Sequence, residues 1–186
     1  LAGQGASLGA RHGVVVIGHP PEAIALYRDR SAVRAAAIEA GLRVLPGSDD
    51  VLRTAVEVRA AAAELGYPLV LKPAYGAGEP ATLSVAEDEA TLDAVLAATE
   101  EPFALYLERH VDRPRHVEIV IVGDGKDLAL LGDHECSVRK DHRRVVAEAP
   151  APALDQLHRG AAVRAAMWGA ATDLATSFAL RGALTL

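Results

Sequence analysis

The stretch from Arg115 to Leu131, RHVEIVIVGDGKDLALL, leaves the chain few choices, because it reads as an extended antiparallel pair. Side chains of a strand point alternately to opposite faces. Val117, Ile119 and Ile121 therefore line one face, and His116, Glu118, Val120 and Val122 the other. The first face belongs to a core; the second begins with titratable groups. Gly123-Asp124-Gly125 interrupts the run with residues that tolerate positive φ, and Leu128 to Leu131 resumes it, which predicts a hairpin. A third extended piece, Arg143 to Glu148, follows the charged turn Arg139-Lys140-Asp141-His142. Strands bearing acid, imidazole and guanidinium groups beside a cationic corner suit a phosphate-bearing ligand held by forked guanidinium donors.

Punctuation sets the other elements. Gly13 to Gly18, GVVVIG, reads as a short buried parallel strand, followed by a helix that starts at Pro20-Pro21 and runs through about Tyr27. Ser31 is the expected cap of a second helix ending at Gly41. The turn Gly47-Ser48-Asp49-Asp50 is the expected cap of a third from Val51 to Leu65, stopped by Gly66. Pro68 to Lys72 reads as a strand with Ala81 to Val85 as its hairpin partner, Asp88 to Ala98 as an amphipathic helix, Phe103 to Glu108 as another strand, and Leu154 to Thr176 as an alanine-rich last helix. A sheet crossed by helices on one side gives the α+β class.

Composition narrows the function. With 186 residues, 51% hydrophobic and 24% charged, the chain can bury a sizeable core. No window of about 18 uninterrupted apolar residues is present to span a bilayer. The start, LAGQGASLGARHG, lacks the charged-then-apolar order of an export signal, so a cytoplasmic location is expected. The lone Cys136 cannot form an internal disulfide. A net charge of -6 argues against a nucleic-acid surface and leaves a small anionic molecule as the expected ligand.

Several separated motifs together resemble the biotin carboxylase members of the ATP-grasp family. PRHVEI and ECSVRKDHRRVVAEAPAP match that family's PRHVEIQ, DCS and RRHQKVVEEAPAP. GVVVIGHPPEAIALYRDRSAVRAAAIEAGLRVLPGSDD matches IGPSPEAI, GDK and AGVPTVPGS, and GYPLVLKPAYGAG matches GYP, IKA and a glycine-rich loop. Order and spacing agree over nearly the whole chain. The resemblance implies an ATP-grasp nucleotide-clamping lobe of the B type at 47–149, an antiparallel sheet with helices on one side. It implies the end of an N-terminal α/β domain and a helical linker at 1–46, and the truncated start of the C-terminal ATP-grasp domain at 150–186. It also implies ATP and magnesium as cofactors, with bicarbonate and biotin as substrates. In the intact system a biotinyl carrier domain and a carboxyltransferase are the implied partners, with no nucleic acid or membrane. In such an enzyme ATP and bicarbonate give carboxyphosphate, carbon dioxide passes to N1 of biotin, and the lobe is a lid over the triphosphate.

Carried over position by position, the resemblance implies nucleotide contacts at Arg30, Lys72, Gly76, Gly78, Glu108, Arg109, Val111, His116, Glu118 and His142. Arg144 stands as a bicarbonate or phosphate contact. Lys72 ends the strand LVLK, where an ammonium can reach a phosphate while its stem stays packed; Glu108 falls at the adenine end, and Arg109 to Val111 form the adjoining hinge. The chain departs from the pattern in three places. Arg30 and Arg144 replace lysines and Arg139 a glutamine, and a planar fork cannot fill the place of a compact ammonium without moving its partners. The loop AYGAGEP carries Tyr75, Ala77, Glu79 and Pro80 where glycine or arginine is usual, which weakens a backbone phosphate cradle. The sequence ends at RGALTL, at the turn after which the family's magnesium-holding glutamates and catalytic arginine follow. These residues alone are therefore expected to turn over little or nothing, and no metal ligand is assigned. A non-catalytic binding or assembly module is the alternative. Cys136 reads as packing.

Overall fold

The computed structural model describes residues 9, 11–14, 18–75, 84–99, 103–140 and 143–186. Its elements in chain order are α1 (Pro21–Tyr27), α2 (Arg30–Glu39), α3 (Ala55–Leu65), β1 (Leu69–Pro73), β2 (Ser84–Ala86), α4 (Glu89–Ala97) and β3 (Leu105–Arg109). Next come β4 (Val117–Asp124), β5 (Leu128–Glu135), β6 (Arg139–Lys140), β7 (Arg143–Arg144), α5 (Pro152–Asp155), α6 (Gly160–Ser177) and β8 (Arg181–Thr185). Strand pairs among the described residues are antiparallel and accompanied by helices, the α+β class. The chain forms two compact units: the described residues of 1–25, 40–42 and 113–186 make one, and Leu26–Glu39 with Arg43–Asp112 the other. The boundary after Asp112 falls within the segment 47–149. The hydrogen bonds explain this, since β3 pairs with β1 whereas β4 pairs with β8 near the C-terminal end.

In the unit built on 26–39 and 43–112, the sheet order is β2-β1-β3. Leu69 and Leu71 of β1 are buried against Leu92, Leu96, Val58 and Leu107, while Val70 and Lys72 face the other side. Each fully buried aliphatic side chain here contributes roughly 1.5–3 kcal/mol of transfer free energy. The third helix starts at Ala55, not Val51. Thr54 and Glu57 form a reciprocal capping box, and residues 47–52 are instead bonded to β3, with Ser48 N–H donating to Leu107 O and Leu52 exchanging both backbone bonds with Leu105. A segment whose amides are taken by a strand cannot wind. Likewise Asp29, not Ser31, caps α2, its Oδ1 accepting from Ala32 N–H at 3.0 Å. A Cβ on Gly47 would lie 2.6 Å from the Tyr106 hydroxyl, so this close approach admits glycine alone.

In the other unit the sheet order is β5-β4-β8. The β4–β5 hairpin is present, with Ile119 and Ile121 buried against Ala171, Ala175 and Leu180. An irregularity in its register decides which side chains share the polar face. Gly123 faces Leu128 and Ile121 faces Leu130, but Val120 faces Gly132, leaving Leu131 as an extra residue, 65% exposed. Beyond this bulge Glu118 faces His134 and Ile119 faces Asp133. The expected strand from Arg143 to Glu148 is reduced to β7, because Glu148 leaves the β6–β7 ribbon to bridge Glu135. The last helix is broken into α5 and α6, with Gly160 seated where a Cβ would be 1.8 Å from Leu154 O. The strand β8 was not anticipated from sequence. Residues 15–17 of the GVVVIG run, and residues 81–83 of the expected strand from Ala81 to Val85, lie outside the described residues.

Candidate functional site

Two groups of the expected site residues are drawn together, one in each unit. In the first, Lys72 of β1 faces Tyr106 across the ladder and Glu108 of β3 lies two residues on, so the Lys72 ammonium pairs with the Glu108 carboxylate on the sheet face away from the leucine core. Arg30 sits at the start of α2, its N–H bonded to Ala74 O and its Nε donating to Pro73 O at 2.8 Å. These three border a cavity of about 230 Å³ with Tyr27, Arg34 and Tyr106. Arg34 is one helical turn beyond Arg30, on the same face. Its Nη1 donates to Leu45 O, while its buried Nε has no hydrogen-bond partner and approaches Asp49 only at ion-pair range, 3.5 Å. Burial pushes the Tyr106 phenol up, keeping it neutral. Three cations and one carboxylate, already paired, suit an anionic ligand that also offers a donor.

Arg34 and Tyr106 were missed by the sequence reading. The i, i+4 spacing from Arg30 could have signalled the first; only the strand register reveals the second. Arg109 has its guanidinium engaged with Leu65 O at the end of α3, at 2.7 Å, and Val111 is exposed. Gly76, Gly78 and His142 lie outside the described residues.

The second group surrounds Glu118. Its carboxylate accepts from Arg144 Nη1 at 2.9 Å and the Cys136 thiol at 3.2 Å, and lies 3.3 Å from His116 Nε2 and 3.2 Å from His134 Nε2. Arg139 Nη1 is 2.6 Å from His116 Nδ1. Arg139 and Arg144 face one another on the β6–β7 ribbon, where like charges repel, and the Glu118 carboxylate bonded to Arg144 offsets part of that repulsion. Burial pushes Glu118 up, but the thiol and Arg144 outweigh it and leave it below the ordinary carboxylate range. Burial, then Arg139, pushes His116 down, so both groups hold the charge states the bonds require. The ligand atoms of His116, Glu118 and Cys136 lie within 4.8 Å of one another, but guanidinium nitrogens already donate into that space. Burial and the Glu118 carboxylate push the Cys136 thiol up, which makes it a packed donor and a poor nucleophile. His134 was missed, for want of any signal of the bulge.

Behind this face, two buried carboxylates secure the chain between β5 and α6. Asp133 accepts from Ala151 N–H, Arg164 Nε and Trp168 Nε1. Glu135 accepts from Arg115, Ser137 Oγ and Ala153 N–H. The Arg115 guanidinium, then the Ser137 hydroxyl, hold the Glu135 carboxyl down to about 2, against an ordinary 4.5. A depressed carboxylate contributes stability above its unfolded value and loses it as pH falls through the folded one. The stability gap between the native chain and Glu135→Gln should therefore narrow as pH falls from about 4.5 toward 2, read by urea unfolding at each pH; a gap constant over that window would refute the assignment.

The sequence profile described as carbamoyl-phosphate synthase L chain, ATP binding domain, matches residues 29–183. Biotin carboxylase from Pseudomonas aeruginosa is 38% identical over 158 residues, covering 80% of this chain and 35% of that protein. Pyruvate carboxylase 1 from Caenorhabditis elegans is 38% identical over 151 residues, covering 77% of this chain and 13% of that protein. The chain thus spans about a third or less of the length of these relatives. Among solved structures, the biotin carboxylase–beta-gamma-ATP complex from Campylobacter jejuni superposes with a TM-score of 0.85 at 30% identity, covering 96% of this chain and 41% of that one.

Proposed function

Since the chain belongs to the carbamoyl-phosphate synthase L chain ATP-binding domain family, in its biotin carboxylase branch, we propose that it is the nucleotide-holding portion of a biotin-dependent carboxylase. The observation that carries this is the cavity bordered by Lys72, Glu108 and Arg30. Lys72 supplies a compact ammonium to a phosphate oxygen, Arg30 a guanidinium anchored through Pro73 O, and Glu108 an acceptor for an exocyclic amino group. The donor set fits a nucleotide. It fits a resident magnesium ion less well, because Glu108 is the one carboxylate among the described lining residues and is already paired with Lys72. When bound, magnesium neutralises charge on the transferring phosphoryl group.

In the larger enzyme the proposed reaction is ATP-dependent carboxylation of biotin through carboxyphosphate, with bicarbonate as the carbon source and a biotinyl carrier domain and carboxyltransferase as partners. In the other unit His116, Glu118 and Arg144 serve that chemistry as polar and oxyanion contacts. The 186 residues by themselves are expected to hold nucleotide without turning it over. A cytoplasmic setting belongs to the same reading and accords with a single, buried, reduced Cys136. Among the described residues, no helix is long and apolar enough to cross a membrane.

Titration calorimetry of the chain with Mg-ATP tests the proposal. Saturable heat at micromolar to millimolar nucleotide is expected; its absence at millimolar concentration would favour a non-catalytic binding or assembly module.

A further inference from the structure

We propose that His134 is a positioning residue, whose Nε2 accepts from the Arg144 guanidinium and holds that cation ready for a small oxyanion. The inference rests on the reading of Arg144 as an anion contact and adds a residue that neither spacing nor resemblance singled out.

The geometry is specific. The bulge at Leu131 places His134 opposite Glu118 on the polar face of the hairpin, and its side chain is 16% exposed. Nε2 lies 3.0 Å from Arg144 Nη1 and 3.2 Å from Glu118 Oε2. A guanidinium only donates. In the proposed arrangement Nε2 offers its lone pair to Arg144 and the ring proton sits on Nδ1; the opposite tautomer would instead donate from Nε2 to Glu118 Oε2. Arg144 Nη1 is then gripped between an anionic oxygen and a neutral nitrogen. His116 repeats the arrangement across the cluster, with its Nδ1 on Arg139. A second arginine at the His134 position would face Arg144 as a like charge and have no lone pair to offer.

The consequence is preorganisation. Arg144 is half exposed, and a free arginine loses rotamer freedom when a ligand orders it. A guanidinium already fixed at one nitrogen gives up less on binding. The chain carries arginine where a compact ammonium is the familiar choice, and His134 with Glu118 supplies the two acceptors that orient the larger group.

The test uses the intact chain with inorganic phosphate and bicarbonate titrated separately, so that the two sources of oxyanion are told apart. His134→Leu should weaken binding of the preferred anion about tenfold, the loss of one charge-assisted bond. His134→Gln, whose carbonyl can still accept from Arg144, should restore affinity to within about twofold, and Arg144→Gln should weaken it at least as much as His134→Leu. Long-range imidazole nitrogen spectra should show His134 protonated at Nδ1 and bare at Nε2. Unchanged affinity in His134→Leu while Arg144→Gln weakens binding would overturn the proposal, as would a proton on Nε2. If Arg144→Gln leaves affinity untouched, Arg144 is no anion contact, and the spectra alone then decide the bond to His134.

Discussion

Asp133→Ala is expected to destabilise the unit that contains it by about 3–5 kcal/mol, the cost of removing one partner from a buried ion pair. The Asp133 side chain has no solvent exposure and accepts from three donors: Ala151 N–H at 2.8 Å, Arg164 Nε at 2.9 Å and Trp168 Nε1 at 2.9 Å. Burial pushes this carboxyl up, yet the Ala151 amide and Arg164 hold it below the ordinary range, so it is charged where it stands. Alanine would leave Arg164, 18% exposed, with only the exposed Asp155 and the Ala151 carbonyl. Asp133→Asn keeps one acceptor oxygen, either for the Ala151 amide that Oδ1 serves or for the Arg164 and Trp168 donors that Oδ2 serves, and should cost less, about 1–3 kcal/mol. Urea midpoints measure both. A loss below about 1 kcal/mol for alanine would mean that the segment at Ala151 is held by packing alone.

Lys72→Met is expected to weaken Mg-ATP binding by about 10- to 100-fold, the range for a charge-assisted contact of roughly 1.5–3 kcal/mol. The stem of Lys72 is three-quarters buried and methionine can replace its packing, so the change isolates the ammonium. It also leaves Glu108, 17% exposed, without its counter-ion, and a bare carboxylate repels phosphate on its own account. The double variant Lys72→Met/Glu108→Gln separates the two: if its affinity stays low, the missing ammonium is the cause, and if it recovers fully, the repulsion was. Native affinity in Lys72→Met itself would exclude a phosphate contact.

Much of this was legible from local chemistry. The helix expected from Asp88 to Ala98 and the stop expected at Gly66 fall within a residue of the start of α4 and the end of α3, because caps and stops involve neighbours in sequence. The errors share a different cause. Ser48 reads as a cap until Leu107, 59 residues away, takes its hydroxyl. Leu154 to Thr176 reads as one helix until the close approach of Gly160 to Leu154 O breaks it. Arg109 reads as a hinge contact, but its side chain also closes the end of α3. Each is decided by a group far along the chain or by a steric contact that periodicity does not encode.

The β4–β5 hairpin draws the line most clearly. From residue order alone, alternation assigned Ile119 and Ile121 to the core and set Glu118 and His116 on the polar face, because a strand has a period of two whatever surrounds it. What no residue order states is the bulge. Carried on from Gly123 opposite Leu128, an unbroken ladder would have set Asp133 against Glu118, two carboxylates on one face. One extra residue at Leu131 exchanges the faces beyond it, turning Asp133 and Glu135 toward Arg164, Trp168 and the Ala151–Ala153 amides, and His134 toward Glu118 and Arg144. Register is a property of two strands and the helix packed on them, so the tertiary structure alone could settle it.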